Sequence, residues 1–254
     1  MEEKGYKKFS PVFYGLKSIK EPSSFLTFIV IFLTLFAIIF LFIIEILGLG
    51  AFLGKVIYPA SSYVVLEGEF AFISAILIII FSVCTLFYYK AYYIVPTDLN
   101  ILDLIRQSLK KFPKFFISIF VQFSVSILGL VAFVVPGLYY GSSVMFFGFF
   151  CVYGNSDIRS AFLKSKDLAK NVRLDSIMSL FIYLVILLVF IYVVRTLDIA
   201  IIYKGLIASM LLSYWIVSYN NMIFNLADRT YKSTYNRKEY NSRLMNNYNK
   251  DNSY

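Results

Sequence analysis

Few side chains in this sequence are equipped for chemistry, and their types exclude several kinds of it. The 254 residues include no His and two Cys, Cys84 and Cys151. Both Cys fall inside long apolar stretches, so neither a disulfide framework nor a Cys/His metal site is supported, and no cofactor is implied. Ser, Lys and Asp remain, but no nucleophile and base stand at a related spacing. A non-enzyme is therefore expected. Two sets of residues are left. The first is polar but uncharged and sits within apolar runs: Gln122, Asn220, Asn221 and Asn225, with Ser124, Ser126, Ser142 and Ser143. Such groups either line a polar pathway or bond neighbouring helices together in lipid, and the second use is the commoner. The second set is cationic: Lys110, Lys111 and Lys114 on one amphipathic segment, and Lys164, Lys166, Lys170 and Arg173 on another. A basic rim of this kind suits anionic lipid headgroups. Nucleic acid is the sharper alternative, and it is disfavoured because the adjoining apolar runs tie these segments to lipid.

The elements that must position these residues are long and apolar. The chain is 59% hydrophobic, 19% aromatic and 15% charged, against about 25% charged in an ordinary soluble domain. A run of about 20 apolar residues crosses a hydrocarbon core of ~30 Å as a helix. Six such runs are read at about 25–47, 70–93, 115–135, 138–153, 176–194 and 205–226. The predicted fold class is thus all-α, a polytopic bundle of six transmembrane helices. The third and fourth runs are joined by Pro136-Gly137, which reads as the turn of a helical hairpin. Residues 48–69 read as an external loop with a short interfacial helix at 51–58. Glu45, at the far end of the first run, reads as an interfacial carboxylate. The first apolar run is too long for a signal-peptide core, so it is expected to be retained. The chain divides into an N-terminal segment (1–22), the membrane domain (23–228) and a basic Asn/Tyr-rich tail (229–254) expected to be disordered.

Three amphipathic helices accompany the spans. In the first, at roughly 10–20, Val12, Phe13, Leu16 and Ile19 recur at helical spacing after Ser10-Pro11, a cap followed by Pro at the first helical position. The second begins at Pro96-Thr97-Asp98, carries Leu102, Ile105, Leu109 and Phe112 on one face, and meets the third span at Pro113. Its apolar face is expected toward the bundle or the acyl boundary. The third sets Ile158, Ala161, Phe162, Leu168, Ala169 and Val172 against Arg159, Lys164, Lys166, Lys170 and Arg173. Each is followed by two spans, so the pattern is a threefold repeat of helix plus hairpin.

Charge sets the expected orientation. Of 24 Lys and Arg, five precede Pro22, five lie from Lys90 through Lys114, five lie in 159–173 and six lie in the tail. That leaves Lys55, Arg195 and Lys204 for the other side. The positive-inside rule then places both termini in the cytoplasm, with the plasma membrane as the expected location. Lys90, set among Phe87, Tyr88, Tyr89, Tyr92 and Tyr93, reads as a cation snorkelling at the headgroup level.

The order of a basic helix, an apolar span, Val135-Pro136-Gly137-Leu138-Tyr139, a second span, and Ala161-Phe162-Leu163-Lys164-Ser165 with Lys170 resembles a family. It is the membrane domain of glycerophosphodiester phosphodiesterases, with related six-helix proteins of bacteria and archaea. The resemblance is strongest over 97–190. It implies the membrane module alone, because the catalytic barrel of that family depends on His and acidic metal ligands and has no counterpart here. The expected function is a non-catalytic module that binds membrane lipids through anionic headgroups, or docks a protein partner at the cytoplasmic face. The alternative is a small transporter or channel lined by the polar residues of the spans.

Overall fold

A computed structural model describes residues 10–46, 63–92, 101–132, 134–153 and 157–234. Its elements are α1 (Ser10–Lys17), a 3-10 turn (Ser18–Lys20), α2 (Pro22–Ile46), α3 (Tyr63–Tyr92), α4 (Ile101–Ala132), α5 (Val134–Val144), α6 (Phe147–Tyr153), α7 (Ile158–Asn171), α8 (Arg173–Thr196) and α9 (Ile201–Thr234). There is no strand among the described residues. Four helices are long and apolar enough to cross a bilayer: α2 over Pro22–Phe42, α3 over Ala71–Ala91, α8 over Arg173–Thr196 and α9 over Ile201–Tyr231. They coincide with the first, second, fifth and sixth predicted runs. The helix expected at 51–58, the segment 97–100, the tail beyond 234 and the side chain of Glu45 lie outside the described residues.

The N-terminal segment follows its sequence signals closely. α1 passes into a 3-10 turn, Glu21 is extended (ψ 135°), and Pro22 opens α2. Pro is accepted there because the first helical N–H has no partner in any case. α1 packs against α9. A Cβ on Gly15 would press on the Tyr183 hydroxyl, lie 2.6 Å from the Ser218 carbonyl oxygen and 2.9 Å from Met222 Cβ. Only glycine allows that approach. Tyr214 adds a hydrogen bond from its hydroxyl to the Leu16 carbonyl (3.1 Å).

The middle of the chain departs from expectation in three places. Pro113 does not end the second amphipathic segment; α4 runs through it from Ile101 to Ala132. Proline inside a helix removes one hydrogen bond and costs ~3 kcal/mol. Here Gln107, Ser108, Lys111, Phe115 and Ser118 form one continuous buried face across it, which holds the helix on course. Pro136-Gly137 is not the turn itself but lies in the first turn of α5. Gly129 of α4 and Gly137 of α5 meet there, and a Cβ on Gly129 would come within 2.6 Å of Gly137 Cα.

The third departure is that the predicted fourth run is broken. α5 ends at Val144, Met145-Phe146 form a turn, and α6 resumes at Phe147. Both Ser142 and Ser143 turn their hydroxyls back onto the Tyr139 carbonyl (2.8 and 3.0 Å), a competition with the backbone that bends helices. Ser165 of α7 then donates to the Ser143 carbonyl (3.1 Å) at the break. Protein encloses the chain after the break, since all seven residues of α6 are buried.

That buried helix is the centre of the core. Phe149 stacks on Tyr153 (4.9 Å) and meets Phe224 edge-on (5.3 Å). Phe87 meets both Phe115 and Phe224 edge-on (5.6 and 5.7 Å). Rings at these distances and angles contribute about 0.5–1.5 kcal/mol per pair beyond burial. The cluster occupies the end of the bundle where α3 finishes and α4 begins.

Candidate functional site: a mid-bundle cavity and a basic surface

The polar residues singled out in the spans do not share one fate. Asn221 is fully buried and exchanges hydrogen bonds with Ser24 of α2 (3.1 and 3.3 Å). It fastens α9 to α2, as interhelical amides do in lipid. Asn225, one turn on, has a buried side-chain oxygen with no hydrogen-bond partner among the described residues. Gln122 and Asn220 are brought together in a different place. They line a cavity of about 440 Å³ between α4, α5, α8 and α9.

The cavity has two kinds of wall. Ile119, Phe123, Leu138, Leu180, Leu184 and Leu187 are apolar; Gln122, Ser126, Tyr183, Trp215, Tyr219 and Asn220 are polar at one atom or more. Gly137 and Gly141 complete it, and their missing side chains leave the space. On the polar side, the Gln122 amide lies beside the Tyr219 hydroxyl. Tyr183 shares a hydrogen bond with Ser218 (2.7 Å), and the indole N–H of Trp215 donates to the Tyr183 carbonyl (2.7 Å). Trp215 and Tyr219 stack nearly parallel, 5.3 Å apart at 7°. Asn220 donates to the Ile216 carbonyl (2.8 Å). Tyr183 and Leu184 lie at the midpoint of α8, so the cavity sits at mid-height. It opens sideways: Phe123 is 66% and Leu184 38% exposed, whereas Tyr183 is buried.

Sequence reasoning missed Tyr183, Trp215 and Tyr219. A signal was present. Trp and Tyr favour the membrane interfaces, yet the chain's single Trp stands one turn from a Tyr near the centre of an apolar run.

The basic residues divide as well. Lys110, Lys164, Lys166 and Lys170 are exposed, and Lys114 and Arg173 are half-buried. Lys170 pairs with Asp167 (3.0 Å), and the Arg173 guanidinium lies 4.4 Å over the Tyr139 ring. Lys111 is buried at 7% exposure. It is therefore not a rim group: it follows Gln107 and precedes Phe115 at spacings of four, on the face packed into the bundle. The opposite face of α4, with Leu102 (79% exposed) and Leu109 (55%), points outward. α7 docks through Ala161, Ser165, Leu168 and Ala169, all buried, and Phe162 meets Phe147 edge-on (5.6 Å).

A second ionic feature joins three elements. Lys90 at the end of α3 is buried and bonded to Glu21 (2.6 Å), instead of reaching outward as expected. The Tyr14 hydroxyl donates to the other Glu21 oxygen (3.0 Å). Burial, then the hydrogen bond to the Glu21 carboxylate, pushes the Tyr14 phenol up to about 12 from 10.0. No group of three or more metal-binding side chains occurs among the described residues. No protein-family model, curated protein or solved structure matches this chain, and the reading of its function rests on this geometry.

Proposed function

We propose that the chain is a six-span, multi-pass membrane protein with both termini in the cytoplasm, built as three helix-plus-hairpin units, and that it is a non-catalytic module holding anionic lipid at its basic face. The observation that carries this reading is α7. Its apolar and small residues are sunk against α6, and Arg159, Lys164, Lys166 and Lys170 are left on the exposed side. Each basic residue near an anionic leaflet contributes about 1 kcal/mol of attraction. We further propose kinship with the membrane domain named above. The Ser165 contact at the helix break supports reading its Ala-Phe-Leu-Lys-Ser stretch as a docking motif. A protein partner at the same face would meet the same cations.

The test is lipid enrichment. Replacing Lys110, Lys114, Lys164, Lys166, Lys170 and Arg173 with Gln should lower the anionic lipid that copurifies with the protein, more at low salt than at high. Unchanged enrichment, with a cytoplasm-only reporter still active within 154–156, would sink it. The transporter reading has one observation in its favour, the meeting of Gln122 and Asn220 in one cavity.

A further inference from the structure

We infer that the mid-bundle cavity is a binding site for an uncharged amphiphile, an apolar chain ending in a neutral group that both donates and accepts hydrogen bonds, entering sideways from the bilayer between α4 and α8. Three observations lead there. First, none of the lining residues is Asp, Glu, Lys or Arg. A charged ligand would lose its hydration with nothing to pair against, which is expensive at this depth. Second, a wholly apolar ligand would cover Gln122, Ser126, Tyr219 and Asn220 without bonding them, and a covered, unmet polar group costs about 1–3 kcal/mol. The Asn220 amide is committed to the Ile216 carbonyl through its nitrogen, which leaves its oxygen as an acceptor for a ligand. Third, the rim is apolar and turned outward at Phe123 and Leu184, while Gln122, Ser126, Tyr219 and Asn220 are less exposed and Tyr183 is buried. A ligand already dissolved in hydrocarbon enters head first past such a rim, and its chain stays in contact with Ile119, Leu180 and Leu187. The volume lies within the 300–1,000 Å³ usual for small-molecule sites. This inference does not depend on the basic face.

Trp215 supplies the assay, since it is the only Trp in the chain and lines the cavity. The full-length protein in nanodiscs of zwitterionic lipid would be titrated with a monoacylglycerol brominated along its chain, a contact quencher of indole fluorescence. Quenching should saturate at low probe fraction. A brominated lysophosphatidylglycerol of equal chain length should need at least tenfold more. Gln122→Leu should raise the half-saturating fraction about five- to tenfold, which matches the loss of one hydrogen bond. Leu184→Phe, at the exposed rim, should also weaken saturation, and Val189→Phe, exposed but outside the cavity, should not. The six-residue Gln variant of the basic face should quench like the parent protein. Quenching that grows linearly with probe and is equal for neutral and anionic chains would mean that Trp215 senses bulk lipid only, and would overturn the proposal. So would saturation indifferent to both Gln122→Leu and Leu184→Phe in protein whose thermal unfolding is unchanged.

Discussion

α6 and the C-terminal half of α8 are both strongly apolar, and the structure treats them in opposite ways. Every residue of Phe147–Tyr153 is buried. On α8, Leu188, Val189, Ile191, Tyr192 and Val193 are all between 40% and 68% exposed. In water that contrast would be a fault. In hydrocarbon it is expected, because lipid tails are as apolar as Leu and nothing drives aliphatic side chains inward. What is buried here is what gains from protein neighbours: aromatic rings with edge-to-face partners, hydroxyls with carbonyl partners, and glycines that let backbones close up. The C-terminal half of α8 and the start of α9 frame a second cavity of about 350 Å³, and no aromatic ring pair lies among its described lining residues.

The sharpest way to break this comparison is to truncate one large residue in each region. Phe149→Ala removes a ring held by Phe150, Tyr153 and Phe224. It should destabilise by about 3–5 kcal/mol, the range for buried Phe to Ala. Leu188→Ala, at a position 57% exposed, should stay within about 0.5 kcal/mol. Reversible unfolding in mixed micelles measures both. Equal effects would mean that α8 is covered by something the single chain does not supply.

Next in size is the glycine contact. Gly15→Ala places a Cβ against backbone and Cβ atoms of α9, which cannot yield as a flexible side-chain tip would. A loss of about 1–3 kcal/mol is expected, in the range for overpacking. Gly148→Ala, by contrast, meets the Phe115 ring edge at 2.9 Å. A ring can shift, so the effect there should be smaller. The same unfolding assay ranks the two, and the reverse order would move the tight clamp from α1 to α6.

Ser165→Ala tests the break itself. The Ser143 carbonyl loses its donor at a part-buried contact, so the cost should lie at the lower end of the range for a buried acceptor. An orphaned buried acceptor costs about 1–3 kcal/mol, and hydrogen exchange should rise first in 143–150. Ser160→Ala, whose hydroxyl bonds its own helix at Asp157 on an exposed face, should leave exchange unchanged.

Much of this was legible in the sequence. The runs that became α2, α3, α8 and α9 were read directly from length and apolarity, and Ser10-Pro11 and Pro22 bounded the N-terminal segment. α4 was harder. Its stripe of Leu102, Ile105, Leu109 and Phe112 allows an apolar face toward the bundle or toward the acyl boundary, and periodicity does not choose between them. The structure buries Gln107, Ser108 and Lys111 and turns Leu102 and Leu109 out. The broken run could have been suspected from Gly141-Ser142-Ser143, but no propensity rule says that a hydroxyl on α7 will meet the freed carbonyl. The cavity joins residues of four helices, and single-sequence periodicity carries no information on which faces meet.

The smallest predicted effect is the most specific. Tyr14 belongs to a knot of α1, α3 and α9: its hydroxyl binds Glu21, Lys90 lies 5.9 Å and Arg229 5.7 Å from its ring centre, and Asp228 is also close. The folded state holds the phenol proton more tightly than the unfolded chain does, with a pKa of about 12 against 10.0. Between those values the folded state binds more protons, so stability must fall as pH rises. The contribution is fully present below pH 10 and gone above about 12. Tyr14 is only half-buried, so solvent screening reduces the effect to about 1 kcal/mol or less. Tyr14→Phe should therefore flatten part of the alkaline decline, read as the difference between the two proteins in unfolding midpoint at pH 9, 10.5 and 12. Glu21→Gln removes the carboxylate that holds the proton and also releases Lys90 from its ion pair. In that background Tyr14→Phe should make less difference. An unaltered decline in Tyr14→Phe would mean that the alkaline sensitivity lies elsewhere, and that α1 is held by Gly15 and Tyr214 without help from the knot.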